Sequence, residues 1–457
     1  PPPFRETRSV KRNLRLARAL IFAKIISTSI PHASSSDTIP VSRRTTHNLV
    51  SWFSRAAIFP RTVHSFFVSL HPRKTVMENF DDIRPYNEEE AHAAYLRLMD
   101  DTRFQDAILK CLPDYSIDDF RRDFDKYNGI DDVQADFIRR FIEVFTNQSS
   151  KGVEFRGMEH VDSDKAYLYI ANHRDITFDS ALLQLYFFQE NRHSSKIAVG
   201  DNLIKTPVLG EVARLNKMIL VKRSGSLREK IIDSRHLSAY IQRSIFKENE
   251  SVWIAQRDGR TKDGYDYTKQ GLLKMITLSD TSDVMETIRR LRITPVTVSY
   301  EYEPCDSLKA RELALTANGQ HYQKRPGEDF ESIKQGIFGD KGRISLVIGK
   351  PLDTELDGIP ANLNNNDKLH SVCELIDKQI YQNYKLYPNN FIAHDFMTGS
   401  DEYREKYTDE EREKFQAYLQ KKAVVRDVAL DKMMHNLLRI YANPVNTHFG
   451  KNINPIL

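Results

Sequence analysis

Ala166-Tyr167-Leu168-Tyr169-Ile170-Ala171-Asn172-His173-Arg174-Asp175-Ile176-Thr177-Phe178-Asp179-Ser180 opens as an unbroken aromatic and aliphatic run and then turns polar. The run predicts a short strand buried on both faces, as in the interior of a parallel sheet. Ser180-Ala181-Leu182-Leu183-Gln184-Leu185-Tyr186-Phe187-Phe188 follows and reads as a helix. Asp179 stands where a helix N-cap belongs, because a side-chain oxygen there accepts from the first unpaired backbone amides. His173, Asp175 and Asp179 therefore occupy a loop between a buried strand and a helix start. In an open α/β sheet that carboxyl end is where ligands bind. A carboxylate that holds an imidazole by one nitrogen leaves the other free to act as a base. With 63 acidic residues and 14 histidines in 457, about two such pairs arise by chance at any one spacing, so the surrounding sequence must decide.

Outward from this stretch, strands and helices alternate from Gly152 to about Leu352, with candidate strands at 166–171, 196–200, 218–222, 251–256, 293–299 and 343–349. The alternation predicts the α/β class: a mixed, mostly parallel sheet flanked by helices. Residues 77–150 read as a helical region. Glu88-Glu89-Glu90 gives a helix its negative first turn, Ser116 and Asp119 form a capping box, and Phe137, Phe141 and Phe145 make one apolar stripe. The α/β domain is expected over 151–355. A C-terminal helical region follows over 356–457, with helices at 367–386, 408–422 and 427–441 after an asparagine-rich loop at 362–367.

Composition divides the chain differently. The net charge of +4 conceals a break: residues 1–76 hold 13 Lys or Arg against Glu6 and Asp37, a net of +11, and the rest carries −7. The N-terminal segment has the composition of a transit peptide or a basic membrane-surface segment. The preferred reading is a disordered or non-native translated upstream extension without a fold, since Met77 begins a chain of ordinary composition. Hydrophobic residues at 40% and charged residues at 28% describe a globular protein. No apolar run approaches the ~20 residues that span a bilayer. Cys111, Cys305 and Cys373 lie far apart, which fits a reducing compartment and gives neither a disulfide framework nor a metal-ligand spacing. A cytoplasmic protein touching the membrane peripherally is the expected setting, with no role in nucleic-acid binding.

Three further stretches follow in order. Met218-Ile219-Leu220-Val221 runs into Lys222-Arg223, cations suited at a strand end to hold a phosphate, Arg by paired hydrogen bonds. Ser251-Val252-Trp253-Ile254-Ala255 runs into Gln256-Arg257-Asp258-Gly259-Arg260-Thr261-Lys262. There Asp258 can accept from a hydroxyl, Gly259 permits close backbone approach and Arg260 can hold a phosphate. Ile293-Thr294-Pro295-Val296 is a strand with proline near its start, where a missing amide costs least. Alone, each has a plain reading as a solvated basic edge, an Asp-Gly turn or an ordinary strand.

Together these blocks resemble the glycerolipid acyltransferases, the superfamily of glycerol-3-phosphate and lysophosphatidate acyltransferases. Asn172-His173 matches the first block, although Asp179 follows with five intervening residues where the family has four, and Asp175 stands closer. Asp179 is favoured as the histidine's partner because it opens the next helix, as the family's aspartate does. Leu220-Val221-Lys222-Arg223 matches the second block, with Lys217 in place of the usual glycine. Asp258-Gly259-Arg260 matches the third, with Asp for Glu and one residue fewer before the arginine, and Ile293–Val296 matches the fourth. These departures mark a divergent subgroup.

The resemblance implies transfer of a fatty acyl group from an acyl thioester to a hydroxyl of a glycerol phosphate or lyso-phospholipid. His173 is the expected general base, supported by Asp179 or Asp175. Arg174, Lys222, Arg223, Asp258, Gly259 and Arg260 are the expected substrate-binding residues. Acyl-CoA or acyl-carrier protein would be the co-substrate, a membrane surface would present the lipid, and the direct transfer needs no cofactor or metal. A hydrolase using the same histidine to activate water is an alternative, its serine version disfavoured by the lack of a Gly-x-Ser-x-Gly elbow. A degenerate lipid-binding or scaffold protein of the same fold, and acylation of an unphosphorylated lipid alcohol, remain as alternatives.

Overall fold

The computed structural model describes residues 79–451 apart from 113–114, 205, 281–282 and 317–321. The basic stretch 1–76 lies outside the described residues. The apolar runs become strands: β1 (Val153–Arg156), β2 (Leu168–Ala171), β3 (Lys196–Gly200), β4 (Met218–Val221), β5 (Val252–Ala255), β6 (Ile293–Tyr300) and β7 (Ile344–Ile348). Among the described residues they form one sheet in the order β1-β7-β6-β2-β5-β3-β4. β6, β2, β5, β3 and β4 run parallel, and β7 is antiparallel to β6 and parallel to β1. The sheet is mixed and mostly parallel with helices on its faces, which is the α/β class read from the sequence. β1 was not read as a strand: Val-Glu-Phe-Arg alternates half-buried and exposed residues at a sheet edge, too short a signal to stand out.

Side chains alternate along a strand, so β2 supplies two cores. Leu168 and Ile170 join Val252, Ile254 and Ile293 against the helices Leu227–Phe246 and Asn365–Gln382. Tyr169 and Ala171 join Trp253, Val296 and Val298 against the helix Phe178–Gln189. Burial on both faces is why the run is apolar at every position. Each fully buried Leu or Ile stabilises the fold by roughly 1.5–3 kcal/mol, which holds β2 at the centre of the sheet.

The N-terminal helices pack onto the same body. The Ser116–Asp119 capping box forms, with Ser116 Oγ accepting from the Asp119 amide at 3.1 Å and Asp119 Oδ2 from the Ser116 amide at 2.9 Å. The Phe137, Phe141 and Phe145 stripe is core, with Phe137 and Phe141 packed edge-on at 5.0 Å beside Leu185 and Phe188. At the other end Asn364 caps Asn365–Gln382, accepting from the Asp367 amide at 3.0 Å. The helices Asp409–Ala423 and Leu430–His448 follow, the latter running past the expected end at 441 and carrying Pro444 inside it. Pro388–Thr398 was not read as a helix. Its residues Asn389 to Asp395 are buried in succession, so it has no polar face to give a helical period.

Candidate active site

Five parallel strands present their carboxyl ends along one edge of the sheet. His173 follows β2, Arg257–Arg260 follow β5 and Lys222–Arg223 follow β4, so the topology brings the three motif blocks to the same edge. β2 ends where Asn172 replaces the ladder with its side chain. The Asn172 amide accepts from the Val298 N–H at 2.8 Å and donates to the Val298 carbonyl at 3.0 Å. Only a side chain with both donor and acceptor can do this, and it frees the next residue, His173, from the sheet. The His173 carbonyl accepts from the Thr261 amide at 2.7 Å, which ties this loop to the glycine turn after β5.

His173 Nδ1 lies 3.0 Å from Asp179 Oδ2. The same oxygen accepts from the Arg174 amide at 2.7 Å and the Asp175 amide at 2.9 Å. The other, Oδ1, accepts from the Tyr300 hydroxyl at 2.8 Å. An acceptor on Nδ1 assigns the proton to that nitrogen and leaves the lone pair on Nε2. Asp179 is completely buried, while His173 keeps 16% of its side chain exposed. The Tyr300 hydroxyl is held well above its ordinary pKa by burial and by the charge of Asp179 beside it, so it donates and does not ionise.

The two aspartates do not divide their work as the sequence suggested. Asp179 was expected at the N-cap, but the helix begins at Phe178 after Thr177. Asp175 provides the cap, its Oδ1 accepting from the Thr177 and Phe178 amides at 2.8 Å each. Asp179 sits in the first turn, where side chains tilt back toward the helix N-terminus. That tilt carries its carboxylate over the loop amides and onto His173.

Arg174 is not available to a substrate as expected. Its buried guanidinium donates to Asp266 at 2.9 Å, Glu303 at 3.3 Å and the Gly264 carbonyl at 3.2 Å. Asp266 also accepts from Asn172 Nδ2 at 3.0 Å, the Tyr384 hydroxyl at 2.6 Å and the Thr261 hydroxyl. Burial pushes the Asp266 carboxyl up, but Arg174 and these hydrogen bonds outweigh it and hold it below the usual range. Lys309 completes the network, donating to the Arg174 carbonyl at 2.6 Å and to Glu303 at 2.5 Å. Asp266, Tyr300, Glu303 and Lys309 were assigned no role from the sequence. Asp263-Gly264-Tyr265-Asp266 carries no motif that marks it, and Tyr300 closes a strand whose sequence signal is its apolar run.

The cations after β4 and β5 differ in freedom. Lys222 is paired with Asp82 at 2.5 Å and with Asp233 at 3.7 Å. Arg223 is exposed, with its guanidinium against the Gly200 Cα at the end of β3. Gly259 has φ +69°, a conformation that favours glycine, and Asp258 beside it is exposed. Arg260 is half-buried beside Cys305, whose thiol is pushed up to about 11 by burial against the opposing charge of Arg260. Lys217, standing for the family's glycine, adopts φ +50° and is buried in an ion pair with Asp131. Buried polar atoms without a partner concentrate here: Asp175 Oδ2, Trp253 Nε1, both amide atoms of Gln256, Arg257 Nε and Arg260 Nη1. Trp253 lies edge-on to His173 with ring centroids 6.2 Å apart. Such orphaned groups are unusual in a packed interior, and six of the twelve among the described residues lie along this edge.

No curated protein matches the chain. Among solved structures it is similar to the 1-acyl-sn-glycerophosphate (LPA) acyltransferase PlsC from Thermotoga maritima, at 14% identity and a TM-score of 0.33 over 62% of this chain and 95% of that one. Residues 152–299 match the family model described as Acyltransferase. That span runs from β1 into β6 and contains the histidine loop, the β4 cations and the glycine turn, so this region of the chain is similar to an acyltransferase domain.

Proposed function

We propose that this protein transfers a fatty acyl group from acyl-CoA or acyl-carrier protein to a hydroxyl of a glycerol phosphate or lyso-phospholipid. The observation that carries the reading is the buried Asp179 carboxylate on His173 Nδ1, which leaves Nε2 as the base. His173 takes the acceptor hydroxyl's proton as the oxygen attacks the thioester carbonyl. The same proton returns to the departing thiolate, so the C–S bond breaks as the C–O bond forms, with no covalent enzyme intermediate. Asp179 stabilises the transient imidazolium. Arg223 and Arg260 hold the acceptor's phosphate, and neither a metal nor a cofactor is required. No described helix is long and apolar enough to cross a membrane, and the protein meets its lipid at a cytoplasmic membrane surface.

A second reading, acylation of an unphosphorylated lipid alcohol, is favoured by one observation. Of the cations expected to bind substrate, Lys222 is neutralised by Asp82 and Arg174 by Asp266.

The deciding experiment is His173→Ala with thioester consumption followed in the presence and absence of an added lipid acceptor. Base catalysis contributes roughly 10²–10⁴-fold, so a folded His173→Ala protein should lose that much of its acceptor-dependent turnover. Near-normal turnover would remove the mechanism. Thioester loss independent of acceptor would make the protein a hydrolase.

A further inference from the structure

The helix Leu227–Phe246 is anchored by its second half, where Leu237, Tyr240, Ile241 and Ile245 are buried in the core. Its first half is not. Residues 222–232 are exposed without interruption, and they include Leu227 at 77%, Ile231 at 53% and Ile232 at 59%. The other large apolar side chains exposed among the described residues are Leu96, Val424, Leu430 and Phe449, none of them in a cluster of three. Isolated exposed apolar residues need no explanation, but a contiguous group on one element does. At 3.6 residues per turn, Ile231, Arg235, Arg228 and Ile232 fall within one arc of about 100°, a face that mixes branched apolar side chains with cations.

Charge says what this face meets. Arg228, Lys230 and Arg235 surround the apolar residues, whereas residues 77–457 as a whole carry a net charge of −7. Glu229 does not offset them outward: its Oε2 accepts from the Ser226 amide at 2.7 Å and the Ser226 hydroxyl at 2.7 Å, turned back into the helix cap. A basic, apolar helix face on an otherwise acidic body is complementary to anionic headgroups over hydrocarbon. Long Arg and Lys stems lie along the apolar surface while their heads reach the phosphates. Position supports the same occupant. The helix leaves the sheet directly after β4, on the carboxyl edge that carries His173.

We infer that the exposed first turns of Leu227–Phe246 are a docking face for an anionic phospholipid surface, holding the catalytic edge against the bilayer that supplies the acceptor. The inference rests on the acyl-transfer reading for its purpose but not for its test.

The test uses the full-length chain with vesicles of phosphatidylcholine mixed with phosphatidylglycerol, and of phosphatidylcholine alone, in a sedimentation assay. Wild type should bind the mixed vesicles. The triple substitution Leu227→Ser, Ile231→Ser, Ile232→Ser should weaken that binding by at least about tenfold. Arg228→Gln, Lys230→Gln and Arg235→Gln together should erase the preference for anionic vesicles, each contributing about fivefold. Both variants should retain wild-type turnover of a short-chain, freely soluble acceptor and lose it on an acceptor embedded in vesicles. Wild-type binding by the apolar triple variant would overturn the inference. So would a dimer in light scattering that becomes monomeric on that substitution, because the face would then be a protein interface. Vesicle binding as expected, with no turnover of any acceptor, would sink the acyl-transfer reading and leave the docking face standing.

Discussion

His173 and Asp179 meet through an oxygen, Asp179 Oδ2, that also gathers the backbone amides of Arg174 and Asp175. The carboxylate that orients the imidazole is thus the one that folds the loop carrying it. A longer His-to-Asp spacing than the family's is accommodated because the aspartate reaches back from inside the helix, while Asp175 takes over the cap. Removing the charge at 179 therefore disturbs orientation and loop geometry at once.

Asp179→Asn should lower kcat by most of the roughly 10²–10⁴-fold that base catalysis supplies, because a neutral amide cannot stabilise the imidazolium and its one oxygen cannot serve both Nδ1–H with the loop amides and the Tyr300 hydroxyl. Asp175→Asn keeps an oxygen for the Thr177 and Phe178 amides and should stay within about tenfold of wild type, with a stability loss of at most about 1 kcal/mol. Steady-state kinetics on both variants decides the assignment. A larger defect in Asp175→Asn would mean the roles are reversed.

Asp266→Asn tests the network behind the loop. It leaves Arg174 buried with Glu303 as its remaining carboxylate, and removing one partner of a buried pair costs about 3–5 kcal/mol. The sign with pH follows from the lowered Asp266 pKa. Its contribution is present above the unfolded-state value, near 3.9, and is lost as pH falls through the lower folded-state value. Denaturant unfolding should therefore show Asp266→Asn well below wild type at neutral pH, with the gap narrowing in acid. Equal stability of the two proteins at neutral pH would show that the network contributes nothing.

Asp377 has the opposite sign. Burial, with Asp266 and Glu374 adding repulsion, raises it to about 7, although Thr268 donates to it through its amide at 2.8 Å and its hydroxyl at 2.6 Å. Folding then favours the protonated form. Stability is fully present below the unfolded value and falls as pH rises through about 7. Asn keeps the Oδ1 acceptor for both Thr268 groups and carries no charge. Asp377→Asn should raise Tm by a few degrees at pH 8 and change it little at pH 4. A gain equal at both pH values would refute the titration.

The sheet's interior was legible because strands buried on both faces are apolar at every position, as Leu168–Ala171 and Val252–Ala255 show. The edge strand Val153–Arg156 and the enclosed helix Pro388–Thr398 were not, one being too short to show its period and the other buried too completely to have one. At the site, His173 and Asp179 could be paired from spacing and helix position. Arg174 could not be placed, since whether a cation beside a histidine faces substrate or core depends on Asp266 and Glu303, residues about 90 and 130 positions away in sequence. Lys217 shows a further limit. Its left-handed backbone explains why glycine suits that position, but the ion pair with Asp131 that accompanies lysine there is invisible to local sequence.

Under the proposed transfer, Arg223 and Arg260 are the cations expected to choose the acceptor. β4 and β2 stand three places apart in the sheet, which at strand spacing puts the ends of their axes about 14 Å apart. Arg223 must therefore reach inward to share a phosphate with a hydroxyl at His173, whereas Arg260 follows the adjacent β5 and has Nη1 buried without a partner. If both hold phosphate, Ala at either position should raise the acceptor KM and leave the thioester KM nearly unchanged. Charge-assisted hydrogen bonds contribute about 1.5–3 kcal/mol, so kcat/KM should fall roughly ten- to a hundredfold. Arg→Lys should restore only part of this, because a point charge lacks the planar fork. The closer Arg260 should show the larger loss. The comparison is made with a phosphorylated acceptor and its dephosphorylated analogue. If wild type uses the two equally and neither substitution changes the preference, the substrate is a neutral lipid alcohol, and the pairing of Lys222 with Asp82 is the structural reason this edge does not bind phosphate.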